Sequence, residues 1–253
     1  MTQSSGKAKR IARFFRLAHT ILALFLVAHS ASADPVGLKW PQPDGDGTPL
    51  HLTYSYSNLL DGTFRLNTPT ELRAATEEAL RLWAAYAPLH FVEQRDSGPE
   101  VADLPYGAEG HPQIRIGHHA IGELAHGYYP GDGGLCGDIV FASGVPWMIG
   151  GDRWNFLEVI THELGHSLGL GHEHHEIAMM NPSFPTPRFG GLGSAYLYSS
   201  DVRRLQAIYG AGMGSVQPLN PAPEPATSLL ILTGLVALAR RRSAQHDTLP
   251  SLL

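Results

Sequence analysis

His162, Glu163, His166, Gly169 and His172 stand in the spacing HExxHxxGxxH, and Met180 follows eight residues after the last histidine in Ala178-Met179-Met180-Asn181-Pro182. On an α-helix, residues four apart lie one above the other, so His162 and His166 can offer two imidazole nitrogens to one ion about 2.0–2.1 Å away. Glu163 is next round that helix, beside such an ion rather than on it, where a carboxylate can take a proton from water. A third ligand must come from outside the helix, and Gly169 suits the positive φ that would turn the chain so that His172 points back. Three protein ligands leave a fourth position on zinc open, which separates catalytic from closed structural sites. The pattern predicts a hydrolytic centre with one catalytic Zn2+ on His162, His166 and His172, and Glu163 as general base. HExxH alone would suit an amphipathic helix with surface histidines equally well; the glycine, the third histidine and the methionine select the metal reading. Met180 by itself would read as core filler, and packing beneath the ligands without touching the ion is the role expected of it.

Those side chains need a frame. Asn155 to Leu168 is predicted as the metal-bearing helix, with Asn155 and Glu158 as a capping pair and Phe156, Val159, Ile160, Leu164 and Leu168 facing the core. An earlier helix begins at Thr68-Pro69-Thr70-Glu71, with Thr68 capping and Pro69 in the first turn. Leu72, Ala75, Ala79, Leu82, Trp83 and Tyr86 then recur at helical spacing until Pro88. A last helix spans Ser200 to Tyr209, closed by Gly210. Leu52 to Tyr56, Leu89 to Glu93, Gln113 to Gly117 and Ile139 to Phe141 are short extended runs. Strands early and the site helix late give an α+β domain.

The histidine pattern with its downstream methionine resembles the metzincin clan, and its surroundings are similar to the matrixins, the matrix-metalloproteinase type of catalytic domain. Leu124 to Gly131 (Leu-Ala-His-Gly-Tyr-Tyr-Pro-Gly) and Gly137 to Phe141 look like the matrixin edge strand, glycine loop and following strand. Asn181-Pro182-Ser183-Phe184 resembles the wall of the S1′ pocket, Ser200 to Gly210 the closing helix, and Lys39-Trp40 with Leu52 to Tyr56 the first strand region. The likeness runs from about Lys39 to Gly210. It implies a zincin-like fold, a twisted and mainly parallel sheet of about five strands with three helices, the active-site helix being followed by a Met-turn. It also implies a metalloendopeptidase that hydrolyses internal bonds of a protein or peptide substrate. Glu163 would take the proton of the attacking water and deliver it to the leaving amine. The edge strand from Glu123 to Gly127 would pair with extended substrate, so Leu124, Ala125, Pro182 and Phe184 are the candidate substrate-binding residues.

Several departures limit the likeness. Some metzincins have a tyrosine just after the methionine; Asn181 stands there, so no such role is assigned. Of the histidines that hold a structural zinc in matrixins, His126 matches one, but Val140 occupies the place of another. His118 and His119 lack an aspartate two residues on, so satisfied or solvated histidines are the expectation and a second zinc is not. Gly131-Asp132-Gly133-Gly134 to Asp138 could supply carbonyls and a carboxylate to Ca2+, or form a plain glycine turn. His174 and His175 read as a solvated turn. Cys136 is the single cysteine, which rules out an intrachain disulfide, and it does not lie where the family's latency cysteine would.

Composition frames the rest. Basic residues Lys7, Lys9, Arg10, Arg13 and Arg16, an apolar run from Leu17 to Ala28 and Ala31-Ser32-Ala33 read as a signal peptide over residues 1–33, the alternative being an uncleaved anchor. Residues 34–212 form the expected catalytic domain, and 213–225 a Pro/Gly-rich linker. Pro223-Glu224-Pro225, the apolar stretch and Arg240-Arg241-Arg242 within 226–242 resemble a bacterial PEP-CTERM sorting tail, with 243–253 trailing it. That resemblance implies an exosortase-type sorting machinery and transient contact with the inner membrane. The fourteen residues from Ala226 to Ala239 would cover about 21 Å of helix against a roughly 30 Å hydrocarbon core, so a surface-lying or disordered tail is the alternative. Export to periplasm, cell surface or medium is the expected localisation. The chain sums to −5, but from Asp34 to Ala239 there are 10 basic and 22 acidic residues, net −12. Such a surface argues against nucleic-acid binding, which needs clustered cations. Two other classes stay open: a catalytically weak surface or extracellular-matrix binding protein on the same fold, and an exopeptidase, for which no terminus-capturing motif is found.

Overall fold

The computed structural model describes residues 38–96, 112–131, 134–151, 153–175, 177–182 and 188–219. The leader read at 1–33, the tail beyond residue 219 and Phe184 therefore lie outside the described residues. Thr68 caps helix α1 (Pro69–Ala84) in a reciprocal box: its hydroxyl accepts the Glu71 N–H at 3.2 Å while Glu71 Oε2 accepts the Thr68 N–H at 2.7 Å. Two orphan donors of the first turn are thereby satisfied. Its buried face is Leu72, Ala75, Ala79, Leu80 and Trp83. Leu80 takes the place expected of Leu82: the two lie about 80° to either side of Leu72, and the buried face, which also takes in Thr76 and Ala84, leans to the Leu80 side; Tyr86 lies past the helix and is 36% exposed.

Among the described residues six strands, one more than expected, form a sheet in the order β4-β5-β3-β1-β2-β6. β1 (Leu50–Tyr56), β2 (Leu89–Glu93), β3 (Ile114–His119), β5 (Ile139–Ala142) and β6 (Ser215–Gln217) are parallel to their neighbours, and β4 (Ala125–Gly127) runs antiparallel on β5. β6 lies in the stretch read as linker. Its run is short and half-exposed, so no hydrophobic period announces it; register comes from His90↔Ser215, where Ser215 Oγ meets His90 Nδ1 at 2.9 Å. Gly214 admits it: a Cβ there would sit 1.7 Å from the Leu89 carbonyl oxygen.

Leu52, Tyr54, Phe91, Ile116 and Phe141 send buried side chains from the sheet into a core shared with α1 and helix α2 (Phe156–Ser167). Trp83 joins the two helices, its Nε1 donating to the Thr161 carbonyl at 2.9 Å. A buried side chain of this size contributes on the order of 2–3 kcal/mol from its apolar area. Helix α3 (Ser199–Tyr209) closes the chain's path round the site, ending at Gly210 with φ 82°. Among the described residues no helix is long and apolar enough to cross a membrane.

Candidate metal centre

α2 starts at Asn155, whose Oδ1 accepts the Glu158 N–H at 3.4 Å and whose Nδ2 donates to the Phe189 carbonyl at 2.7 Å. The expected return bond from Glu158 is replaced. Its carboxylate accepts the Arg188 backbone N–H at 2.8 Å and lies 3.9 Å from Arg188 Nε, because a carboxylate only 4% exposed needs a cation more than a cap. At the other end Gly169 adopts φ 91°, with Leu170 N–H bonding Gly165 O at 2.9 Å and Gly169 N–H bonding His166 O at 2.8 Å. This paired closure is a Schellman motif. The carbonyls of Ser167 and Leu168 are taken by Trp40 Nε1 at 2.8 Å and the Tyr209 hydroxyl at 3.1 Å, so the helix end is satisfied although buried.

The turn brings His172 back to the helix. Candidate ligand nitrogens of His162, His166 and His172 lie within 4.8 Å of one another, the one such trio among the described residues. His166 Nε2 and His172 Nε2 are 3.1 Å apart, close to the roughly 3.3 Å between ligands on a tetrahedral zinc with bonds of about 2.05 Å. His162 Nδ1 meets the Met179 carbonyl at 2.8 Å and His166 Nδ1 that of Leu170 at 2.8 Å. A carbonyl only accepts, so each Nδ1 carries the proton and each Nε2 keeps a lone pair for the cluster. Burial first, then the neighbouring imidazoles, lower His162 to about 3; burial lowers His166 to about 4 and depresses His172 as well. Neutral imidazoles with converging lone pairs fit a divalent cation of the zinc type.

Glu163 is 7% exposed, and burial pushes it up to about 7, helped by the Glu123 carboxylate and opposed by a hydrogen bond from the Gly127 N–H. The edge strand therefore touches the carboxylate directly. Gly127 permits this: a Cβ there would sit 2.4 Å from the Glu163 carbonyl oxygen and 3.1 Å from His166 Cβ. Met180 is fully buried, and a Cβ on Gly165 would lie 2.2 Å from its sulfur, so the methionine packs on the helix backbone between the two histidines. Buried Asp201 holds that turn, accepting the N–H of Met179 at 2.7 Å, of Met180 at 3.1 Å and of Tyr198 at 3.1 Å.

Leu124, 41% exposed, and half-buried Ala125 lie on the outer edge of the sheet; Pro182 is exposed just past the methionine turn. His118 Nε2 meets Asp61 at 3.1 Å and His126 Nδ1 meets Glu123 at 3.1 Å, while His174 and His175 are exposed. Asp138, the described carboxylate of the glycine loop, accepts the Arg115 backbone N–H at 3.0 Å and lies 3.8 Å from its Nη1. Arg115 Nε also donates to Asp96 at 2.8 Å, all three side chains being 2–3% exposed. The carboxylate offered to calcium thus already faces a cation of the chain's own and does not fit as an open calcium ligand. Asp201, Arg188 and Gly127 escape sequence reasoning. Only Asp201 had a signal, an acid at the third position of a helix, and Tyr198 in place of a hydroxyl cap hid it.

The family model described as Matrixin matches residues 40–210. Neutrophil collagenase of Homo sapiens is 29% identical over 206 residues, 78% of this chain and 42% of that protein. Interstitial collagenase of Sus scrofa is 30% identical over 189 residues, 74% and 38%, and interstitial collagenase B of Mus musculus 28% over 193 residues, 75% and 39%. The chain spans about two fifths of the length of these relatives. From Trp40, which caps the end of the histidine helix, to Gly210, which ends α3, the matched stretch takes in all the elements that build the centre, and the chain belongs to the matrixin family.

Proposed function

We propose that this chain is an exported zinc-dependent endopeptidase in which His162, His166 and His172 hold the metal and Glu163 is the general base. The observation that carries the reading is the meeting of three neutral imidazoles beside a buried carboxylate raised to about 7. A bound zinc would supply Lewis acidity that polarises a carbonyl and makes water a nucleophile at neutral pH. Glu163, half-ionised near pH 7, suits both halves of proton traffic: accepting from water and returning to the leaving amine. The Gly127 N–H keeps its carboxylate aimed while burial keeps it basic. An extended substrate would add to the outer edge of β4 through backbone groups near Leu124 and Ala125, with Pro182, exposed just past the methionine turn, a further candidate contact. Strand addition accepts the middle of a chain, which favours internal cleavage. The names of the collagenase relatives support a protein substrate without fixing which one. Export, and transient membrane anchoring of the C-terminal stretch, rest on residues 1–33 and 226–242 of the sequence alone.

Incubating the purified chain with zinc and a denatured protein tests this. Internal fragments that vanish on chelation are expected; metal held with nothing cleaved would favour the binding-protein reading, and stepwise trimming an exopeptidase.

A further inference from the structure

Helix α3 reaches the metal centre at two places one turn apart. Asp201 holds the methionine turn, and Arg204, at i+3 on the same face, reaches the segment that carries His172. Arg204 Nη2 donates to the Gly171 carbonyl at 3.0 Å, and Nη1 lies 4.0 Å from Glu173 Oε2. Gly171 and Glu173 are the two neighbours of His172 in the chain. Both charged side chains are largely buried, at 13% and 17% exposed. His162 and His166 are fixed by a helix and by carbonyls on their Nδ1 atoms. His172 has no such scaffold: residues 170–173 belong to no helix or strand, and its ring is exposed. The place of that ring is set by the backbone on either side of it. Glu173 N–H bonds the Met180 carbonyl at 2.9 Å, the Leu170 carbonyl takes His166 Nδ1, and the side-chain tie between them is Arg204. Tyr129 flanks the same spot, its hydroxyl 3.9 Å from where a Gly171 Cβ would lie and its ring 5.5 Å from His166.

We propose that Arg204 is a positioning residue for the third histidine: its guanidinium bonds the Gly171 carbonyl before His172, faces the Glu173 carboxylate after it, and so holds the ring within reach of His166 before the metal arrives. The inference rests on the reading of the trio as a zinc site. A flat guanidinium can bond one carbonyl and face one carboxylate at once; an ammonium meets them only as a point charge. Groups that hold a metal ligand in place without touching the ion typically contribute about 10–100-fold in metal affinity.

The test uses the full chain as wild type, Arg204→Met, Arg204→Lys, Glu173→Gln and, on the exposed side of the same helix, Arg203→Met. Zinc release into a chelator, zinc affinity by competition, the visible spectrum of the cobalt(II)-loaded protein and the melting temperature of the metal-free form are read for each. Arg204→Met is expected to bind zinc about 10–100-fold more weakly, mainly through faster release, with an altered cobalt spectrum. Arg204→Lys and Glu173→Gln should fall between it and wild type, and Arg203→Met should match wild type. Unchanged zinc release and cobalt spectrum in Arg204→Met would overturn the inference, even with a lowered metal-free melting temperature, since a merely structural role moves only the latter. If Arg204→Met does not fold, Arg204→Lys and Glu173→Gln decide by the same readouts. Wild type that binds no zinc would instead remove the zinc reading itself.

Discussion

At the scale of single residues, two kinds of titratable group are set apart by burial: imidazoles kept neutral and a carboxylate kept basic. Glu163→Gln preserves shape and the Gly127 contact but cannot take a proton. Turnover is expected to fall roughly 10²–10⁴-fold with zinc content unchanged, measured by peptide hydrolysis beside metal analysis; parallel loss of zinc would contradict the role. The same variant isolates the histidines for a pH measurement. Three ligands at an ordinary value of about 6.5 would gain protons as pH falls from about 7 to about 5.5 and lose zinc affinity about several-hundredfold. His162 at about 3 and His166 at about 4 stay unprotonated across that window, and His172 is lowered too, so protons compete less. Zinc affinity of Glu163→Gln should therefore change by roughly tenfold or less between those pH values; a loss of hundredfold would mean ordinary histidines.

Among elements, the contact that matters most is edge strand β4 against α2. Gly127→Ala places a methyl 2.4 Å from the Glu163 carbonyl oxygen, a backbone atom that cannot step aside. Overpacking of this kind costs about 1–3 kcal/mol, so the denaturation midpoint and turnover should both drop. Gly144→Ala, with nothing within 4 Å of its new Cβ, is the control, and equal behaviour of the two would refute the account. These elements were unequally legible in the sequence. Thr68 with Glu71, Asn155, Gly169 and Gly210 announce their caps because each acts through local bonds, and the histidine spacing announces that three rings meet. β6 was hidden because Ser215–Gln217 is short and polar, and its register is set by β2 rather than by its own pattern. Half of the Asn155–Glu158 capping pair forms, the Glu158 N–H bonding Asn155 Oδ1, while Arg188, thirty residues on, takes the Glu158 carboxylate expected to return the bond; Arg204 gives no local sign at all.

For the molecule as a whole, the sheet has a charged device of its own under the loop that leads into β5. Arg115 lies between Asp96 and Asp138 with all three side chains almost out of solvent. Removing the cation leaves two buried carboxylates without it, and breaking a buried pair costs on the order of 3–5 kcal/mol. Arg115→Met should lower the unfolding free energy by about that much in chemical denaturation; a change below roughly 1 kcal/mol would show the ion pairs to be incidental. The acidic balance from Asp34 to Ala239 argues against binding of polyanions. The most direct measurement is zinc stoichiometry of the purified chain taken together with cleavage of a denatured protein. About one zinc per chain, lost in His172→Ala together with internal cleavage, is the expected result, as a three-histidine catalytic site requires. A folded chain that binds no zinc at the trio, or that cleaves equally well without it, would contradict the account.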